Sequence, residues 1–307
     1  MIKTLFILIT LSIFIFIFFS LYNDSDFIVE MDSSNETNDP IAINETYEEH
    51  VSKLKKKLPN KKFHIIIQKP FVVIGDMPQA ILESRWAKGT VKWTVENLKK
   101  SYFKKDPKSI LDIWLFKDKE SYRKHTKLLW GSVPDTPYGY YSPHHKVLVM
   151  NISTGGGTLV HEIVHPFMEA NFPNCPPWFN EGLGSLYEQS AFKKEKIWGL
   201  TNWRLAGLKK VINKGKLPTF KKLMALNDNQ FYGGDGGYSD NYAQSRYLLY
   251  YLQEKSLLRI YYIKFTKNQI EDPSGFDTLK KLLKEKDMMA FQKRWEAYVL
   301  KLKFRGS

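Results

Sequence analysis

The segment TLVHEIVHPF, residues 158–167, constrains this chain more than any other. Leu159, Val160, Ile163, Val164 and Phe167 recur at helical spacing around most of the circumference, which predicts a largely buried helix. A helix turns about 100° per residue, so His161 and His165 lie one turn apart on one face, with Glu162 beside them. Buried imidazoles and carboxylates need partners, because an unpaired polar group in an apolar interior is costly. Two neutral imidazoles at this spacing can reach one divalent metal together, and the intervening carboxylate can take a proton from water activated there. Pro166, directly after His165, removes a helix hydrogen bond and predicts a kink.

A catalytic zinc keeps three protein ligands and one open position. A metzincin would supply Gly at 168 and His at 171, where this chain has Met168 and Asn171. The third ligand therefore comes from elsewhere. Glu181 follows the break at Pro176 and Pro177, opens a new helix, and lies far enough along for the chain to reverse direction. HEIVH followed by PPWFNEGLGSLYE resembles the gluzincins, in particular the peptidase MA-like group, whose pattern is HExxH, a short connection, then W-x-N-E-G on the next helix. The resemblance extends from about Phe63 to the C-terminus, with LFKDKESY, YAQSRYLLYYL and FQKRWEAYVLKLK as its best flanking parts. It implies His161, His165 and Glu181 as Zn²⁺ ligands, Glu162 as general base, and a peptide or protein substrate. In better-known gluzincins an Asp one turn after the glutamate ligand orients a histidine. Ser185 stands there in this chain, so either Ser185 or Glu188, a further turn on, is expected in that role.

Attack on an amide carbonyl builds negative charge on its oxygen, and a donor aimed there speeds the reaction. The glycine-rich stretch Gly233 to Gly237 leads into a helix with Ser239 or Asp240 as the expected cap. Its early turns carry Tyr238 and Tyr242, and residue chemistry favours either as the donor. The family resemblance favours Tyr242. No G-K-[ST] follows the glycines, which argues against a phosphate cradle. His144 and His145 are adjacent and cannot both face one metal from an extended segment, so they read as turn residues.

Along the rest of the chain, KFHIIIQKPFVVIG predicts two strands broken at Pro70. MPQAILESRWAKGTVKWTVENLKKSYF predicts one helix with a possible interruption at Gly89, and SILDIWLFKD a buried strand. KESYRKHTKLLWG predicts a helix ended by Gly131. KVLVMNI predicts another strand, the expected edge for an extended peptide. From Thr158 onward the pattern reads as helical. The expected fold class is α+β: a zincin-like catalytic part over 59–190, with a mixed sheet and the active-site helix, then a mainly helical part over 191–307.

Residues 1–22 form an expected signal or anchor segment, in which Lys3 precedes an apolar run from Leu5 to Tyr22. Its end, Phe18 to Leu21, lacks the small residues a cleavage site needs, which predicts an anchor. Asp24, Asp26 and Glu30 beyond it orient the chain outward, predicting an exported, envelope-located protein held by its N-terminal helix. Residues 23–58 read as a flexible polar spacer, with Asn-x-Ser/Thr triplets at Asn35 and Asn44. A single cysteine, Cys175, excludes an internal disulfide framework and any multi-cysteine metal site. The net charge of +14 raises nucleic-acid binding, but the lysines are dispersed over solvated helix faces and no nucleic-acid motif accompanies them. Two function classes follow. One is an exported zinc metallopeptidase; the other is a non-catalytic envelope binding protein on the same scaffold.

Overall fold

The computed structural model describes residues 45–233 and 238–304. The apolar run Leu5–Tyr22, the Asn35 triplet, Asn44 of the second triplet and most of the glycine stretch lie outside the described residues. Among the described residues, no helix is long and apolar enough to cross a membrane.

The first element, α1 (Tyr47–Lys57), corrects the expected spacer, which ran to residue 58. A capping box starts it: the Glu49 amide donates to the Thr46 hydroxyl at 3.2 Å, and the Thr46 amide donates to the Glu49 carboxylate at 2.9 Å. Val51, Leu54 and Leu58, spaced three and four apart among lysines and glutamates, pack with Phe63 and Trp114 on one face of the main sheet. The polar composition hid that stripe.

Strands β1 (His64–Gln68) and β2 (Phe71–Gly75) form a hairpin with Pro70 in its turn. Helical residues 79–101 follow: α2 (Gln79–Ile81), a wide π-wound segment Leu82–Lys92, and α3 (Trp93–Ser101). Next come β3 (Leu111–Phe116) and α4 (Lys119–Trp130), the latter capped by the Asp118 carboxylate and ended by Gly131 in the left-handed region at φ 81°. Strands β4 (Gly139–Ser142) and β5 (Val147–Asn151) complete a sheet of order β1-β2-β3-β5-β4. β2, β3 and β5 run parallel, and β1 and β4 are antiparallel to their neighbours. The parallel strands are buried throughout, as their continuous apolar sequences require. Val72, Ile74, Trp114 and Val149 face α1 and α4, while Val73, Ile113, Leu115 and Leu148 face the core that holds α3 and α5. β5 is thus interior, not the edge expected for it. The short half-buried β4, with only four residues, takes the edge and left little periodic signal.

Helices α5 (Gly157–Asn171) and α6 (Pro177–Tyr187) follow, and α5 continues through Pro166. A hairpin, β6 (Ser190–Lys193) and β7 (Lys196–Gly199), interrupts what reads in sequence as helices joined by short loops. Its strands are again four residues long. The remainder is helical: α7 (Arg204–Asn213), α8 (Phe220–Met224), α9 (Asp228–Gly233), α10 (Tyr238–Glu254), α11 (Leu258–Asn268), α12 (Phe276–Leu283) and α13 (Met288–Lys301). α10 lies directly on α6, where a Cβ on Gly182 would meet Leu249 and Ser245 at 3.1 Å. The architecture is α+β, and one apolar core runs from the sheet through α5 and α6 to α10 and α13.

Candidate metal centre

Two helices joined by five residues build the site. The buried face of α5 carries Ile163, Val164 and Phe167 into the core, and this fixes the helix rotation that turns His161 and His165 toward α6. On α6, Trp178 and Phe179 are fully buried, and Trp178 Nε1 donates to the Ser274 carbonyl at 2.9 Å. That seat presents Glu181 back to α5. His161 Nε2 lies 3.0 Å from Glu181 Oε2, and His165 Nε2 lies 3.9 Å from the same oxygen. The three ligand atoms all fall within 4.8 Å of one another. Tetrahedral zinc with bonds of about 2.0–2.1 Å holds its ligand atoms about 3.3 Å apart, so this spacing fits one such ion with little adjustment. Glu162 Oε2 stands 3.8 Å from His165 Nε2, beside the trio.

Each ligand is held from behind. His161 Nδ1 pairs with Glu188 Oε1 at 3.1 Å, and His165 Nδ1 with Asn180 Oδ1 at 2.9 Å. Both inner Nε2 atoms are left toward Glu181, the ring orientation that metal-binding histidines use. The Tyr232 hydroxyl donates to Glu181 Oε1 at 2.7 Å and leaves Oε2 on the histidine side. Glu188 is itself gripped by the Arg204 guanidinium, at 2.8 Å to Oε1 and 3.1 Å to Oε2. Of the two residues expected to orient a histidine, Glu188 does so. The buried Ser185 hydroxyl has no partner among the described residues. Gly184 makes room, since a Cβ there would lie 3.0 Å from the His161 ring.

The electrostatics follow from burial and carboxylate crowding. Burial alone would lower the pKa of His161, but hydrogen bonds to Glu181 and Glu188 outweigh it and raise it to about 10. Burial would raise Glu181 and Glu188, yet the histidines, with Tyr232 on one and Arg204 on the other, bring both down to about 2. Glu162 has no such donor, and burial pushes its carboxyl up. A carboxyl with a raised pKa beside two imidazoles and an anionic carboxylate is suited to accepting and returning a proton.

Tyr242 is buried, its ring stacked on the His161 imidazole at 6.4 Å and 19°, with the Arg204 guanidinium 5.2 Å from the centroid of the same ring. Tyr238 opens α10, and its side chain lies outside the described ones. His144 and His145 occupy the exposed turn between β4 and β5, away from the cluster. Burial pushes the Cys175 thiol up, consistent with an unreactive group. Asn180, Tyr232 and Arg204 were not foreseen from the sequence. Asn180 was the most accessible of them, standing one residue before Glu181 in FNEG. Neither the known family models nor the curated proteins give a match to this chain.

Proposed function

We propose that this protein is an exported zinc-dependent metallopeptidase of the gluzincin type, with a zincin-like catalytic part built on α5 and α6. The observation that carries this reading is the convergence of His161, His165 and Glu181, each held from outside, with Glu162 alongside at 3.8 Å from His165. The donor set of two imidazoles and one carboxylate is a catalytic zinc set, leaving one position for substrate or water. When bound, zinc polarises a scissile carbonyl and makes water acidic enough to attack at neutral pH.

The chain's own residues do the rest. His161, His165 and Glu181 hold the ion, and Glu188, Asn180 and Tyr232 keep those ligands oriented. Glu162 accepts the proton of the attacking water at its carboxylate and passes it to the leaving amide nitrogen. Tyr242, packed on the His161 ring, is the proposed donor to the developing oxyanion. The apolar run Leu5–Tyr22 tethers this domain outside the membrane.

The test is elemental analysis of the purified protein together with cleavage of a peptide library. One zinc per chain and metal-dependent cleavage are expected. A protein that binds no zinc, or binds it and cleaves nothing, would leave a non-catalytic envelope binding role in its place.

A further inference from the structure

Helix α11, LRIYYIKFTKN, carries large apolar residues on both faces. Its inner side is accounted for by packing: Tyr261, Tyr262 and Phe265 are buried, with Phe265 edge-on to Phe172 and Tyr262 stacked on Phe179. The outer side has no such partner among the described residues. Ile260 is 44% exposed, Ile263 42% and Ile270 84%. Gln269 keeps helical dihedrals and the Asp272 amide donates to the Asn268 carbonyl at 2.8 Å, so the winding runs past Asn268 and carries Ile270. Spacings of three and seven residues, at about 100° per residue, bring the three isoleucines onto one stripe. Single exposed apolar residues are ordinary, whereas a stripe of them marks an interaction surface. Lys264 and Lys267 lie on the same stripe and Arg259 on its flank, all exposed, against one acid, Glu271, at its end. None of the three cations forms an ion pair among the described residues; Arg259 donates through Nε to the Ser101 carbonyl at 3.1 Å.

We propose that the outer face of α11 docks on an anionic lipid surface. A helix with an aliphatic stripe set among cations lies in the plane of a headgroup layer, its isoleucines turned down and its ammonium groups among the phosphates. The face is a convex ridge without an exposed aromatic anchor of the kind that dominates protein interfaces, and a fluid bilayer adapts to such a ridge. A second copy related by a two-fold axis would set Lys264 and Lys267 against the same cations of its partner, a like-charge juxtaposition that disfavours pairing. Phe172 ends α5 and Phe179 lies in α6, so a docked α11 fixes the orientation of that helix pair to the lipid surface. The inference uses neither zinc nor the proposed hydrolysis.

Under the proposed topology the run Leu5–Tyr22 holds the full-length chain on any vesicle, so docking is read locally instead of by partition. The probe is a polarity-sensitive fluorophore on Ile270→Cys in a Cys175→Ser background, with Leu128→Cys, 65% exposed on α4, as the comparison position. On equimolar phosphatidylglycerol and phosphatidylcholine vesicles the label at 270 should shift to the blue and the label at 128 should not. The shift should be absent on pure phosphatidylcholine and should fall as added salt screens the headgroups. Ile260→Ser with Ile263→Ser, and separately Lys264→Gln with Lys267→Gln, should each lower the docked-to-undocked ratio by about tenfold or more. All four side chains are exposed, so the melting temperature should not change. No shift on anionic vesicles, an equal shift at position 128, or an equal shift on neutral vesicles would overturn the proposal. A shift that needs no lipid and grows with protein concentration would overturn it in favour of a second copy.

Discussion

Replacing Glu162 by glutamine removes a proton acceptor and almost no volume. The Glu162→Gln protein should keep its zinc and its melting temperature while peptide cleavage falls at least about 10²-fold, the lower range for a lost general base. Retained biological activity with zinc bound would sink the enzyme reading. The neighbour behind His161 should behave in the opposite way. Glu188→Ala removes the carboxylate that anchors His161 Nδ1, so metal affinity should drop about 10–100-fold. Competition with a graded series of chelators measures this, and unchanged affinity would remove Glu188 from the site. Tyr242→Phe should slow turnover by about 10²–10³ with zinc retained, if its hydroxyl serves the oxyanion. His161, Glu162, His165 and Glu181 were legible because helical spacing and one short reversal place them. Glu188 was open as one of two alternatives. Arg204 and Tyr232 were not legible, since only the packing of α7 and α9 against α6 brings them 16 and 51 residues back along the chain.

At the scale of elements, the strong periodic segments were readable: the β1–β2 hairpin, β3, α4, β5 and α5 stand where their patterns put them. Four-residue β4, β6 and β7 were not, because so short an alternation cannot be told from loop. α1 was masked by charge and is docked by a pair that no local pattern reveals: His50 Nε2 meets Asp112 Oδ1 of β3 at 2.7 Å, and Nδ1 meets Glu45 at 2.9 Å. The Asp112 hydrogen bond raises the pKa of His50 against the opposing effect of burial, with Glu45 adding to it. A raised histidine stabilises the fold fully below its unfolded value of about 6.5, and that contribution is lost as pH rises through the folded value. The melting temperature of the native protein should therefore exceed that of His50→Gln at pH 6 and approach it toward pH 9. A gap that widens with pH would refute the assignment.

Across the whole molecule, the sheet and the C-terminal helices share one core, so unfolding should be cooperative. Trp295 of α13 is fully buried, donates to the Tyr247 carbonyl at 3.2 Å and packs edge-on against Phe220. Trp295→Ala should cost about 3–5 kcal/mol, and near-ultraviolet dichroism and zinc release should shift together on heating. Separate transitions would show that the metal centre does not depend on the C-terminal half. The proposed topology is checked by membrane fractionation with external protease, which should degrade residues beyond about Asn23; a full-length cytosolic protein would contradict it. The helix pair α5–α6 has one more consequence, for synthesis. His161 and Glu181 are 20 residues apart, and closing a loop four times longer would cost about 1.2 kcal/mol more. All three proposed ligands thus emerge from the ribosome or translocation pore close together, before α7 to α13 exist, and the ion can be captured by a half-made chain.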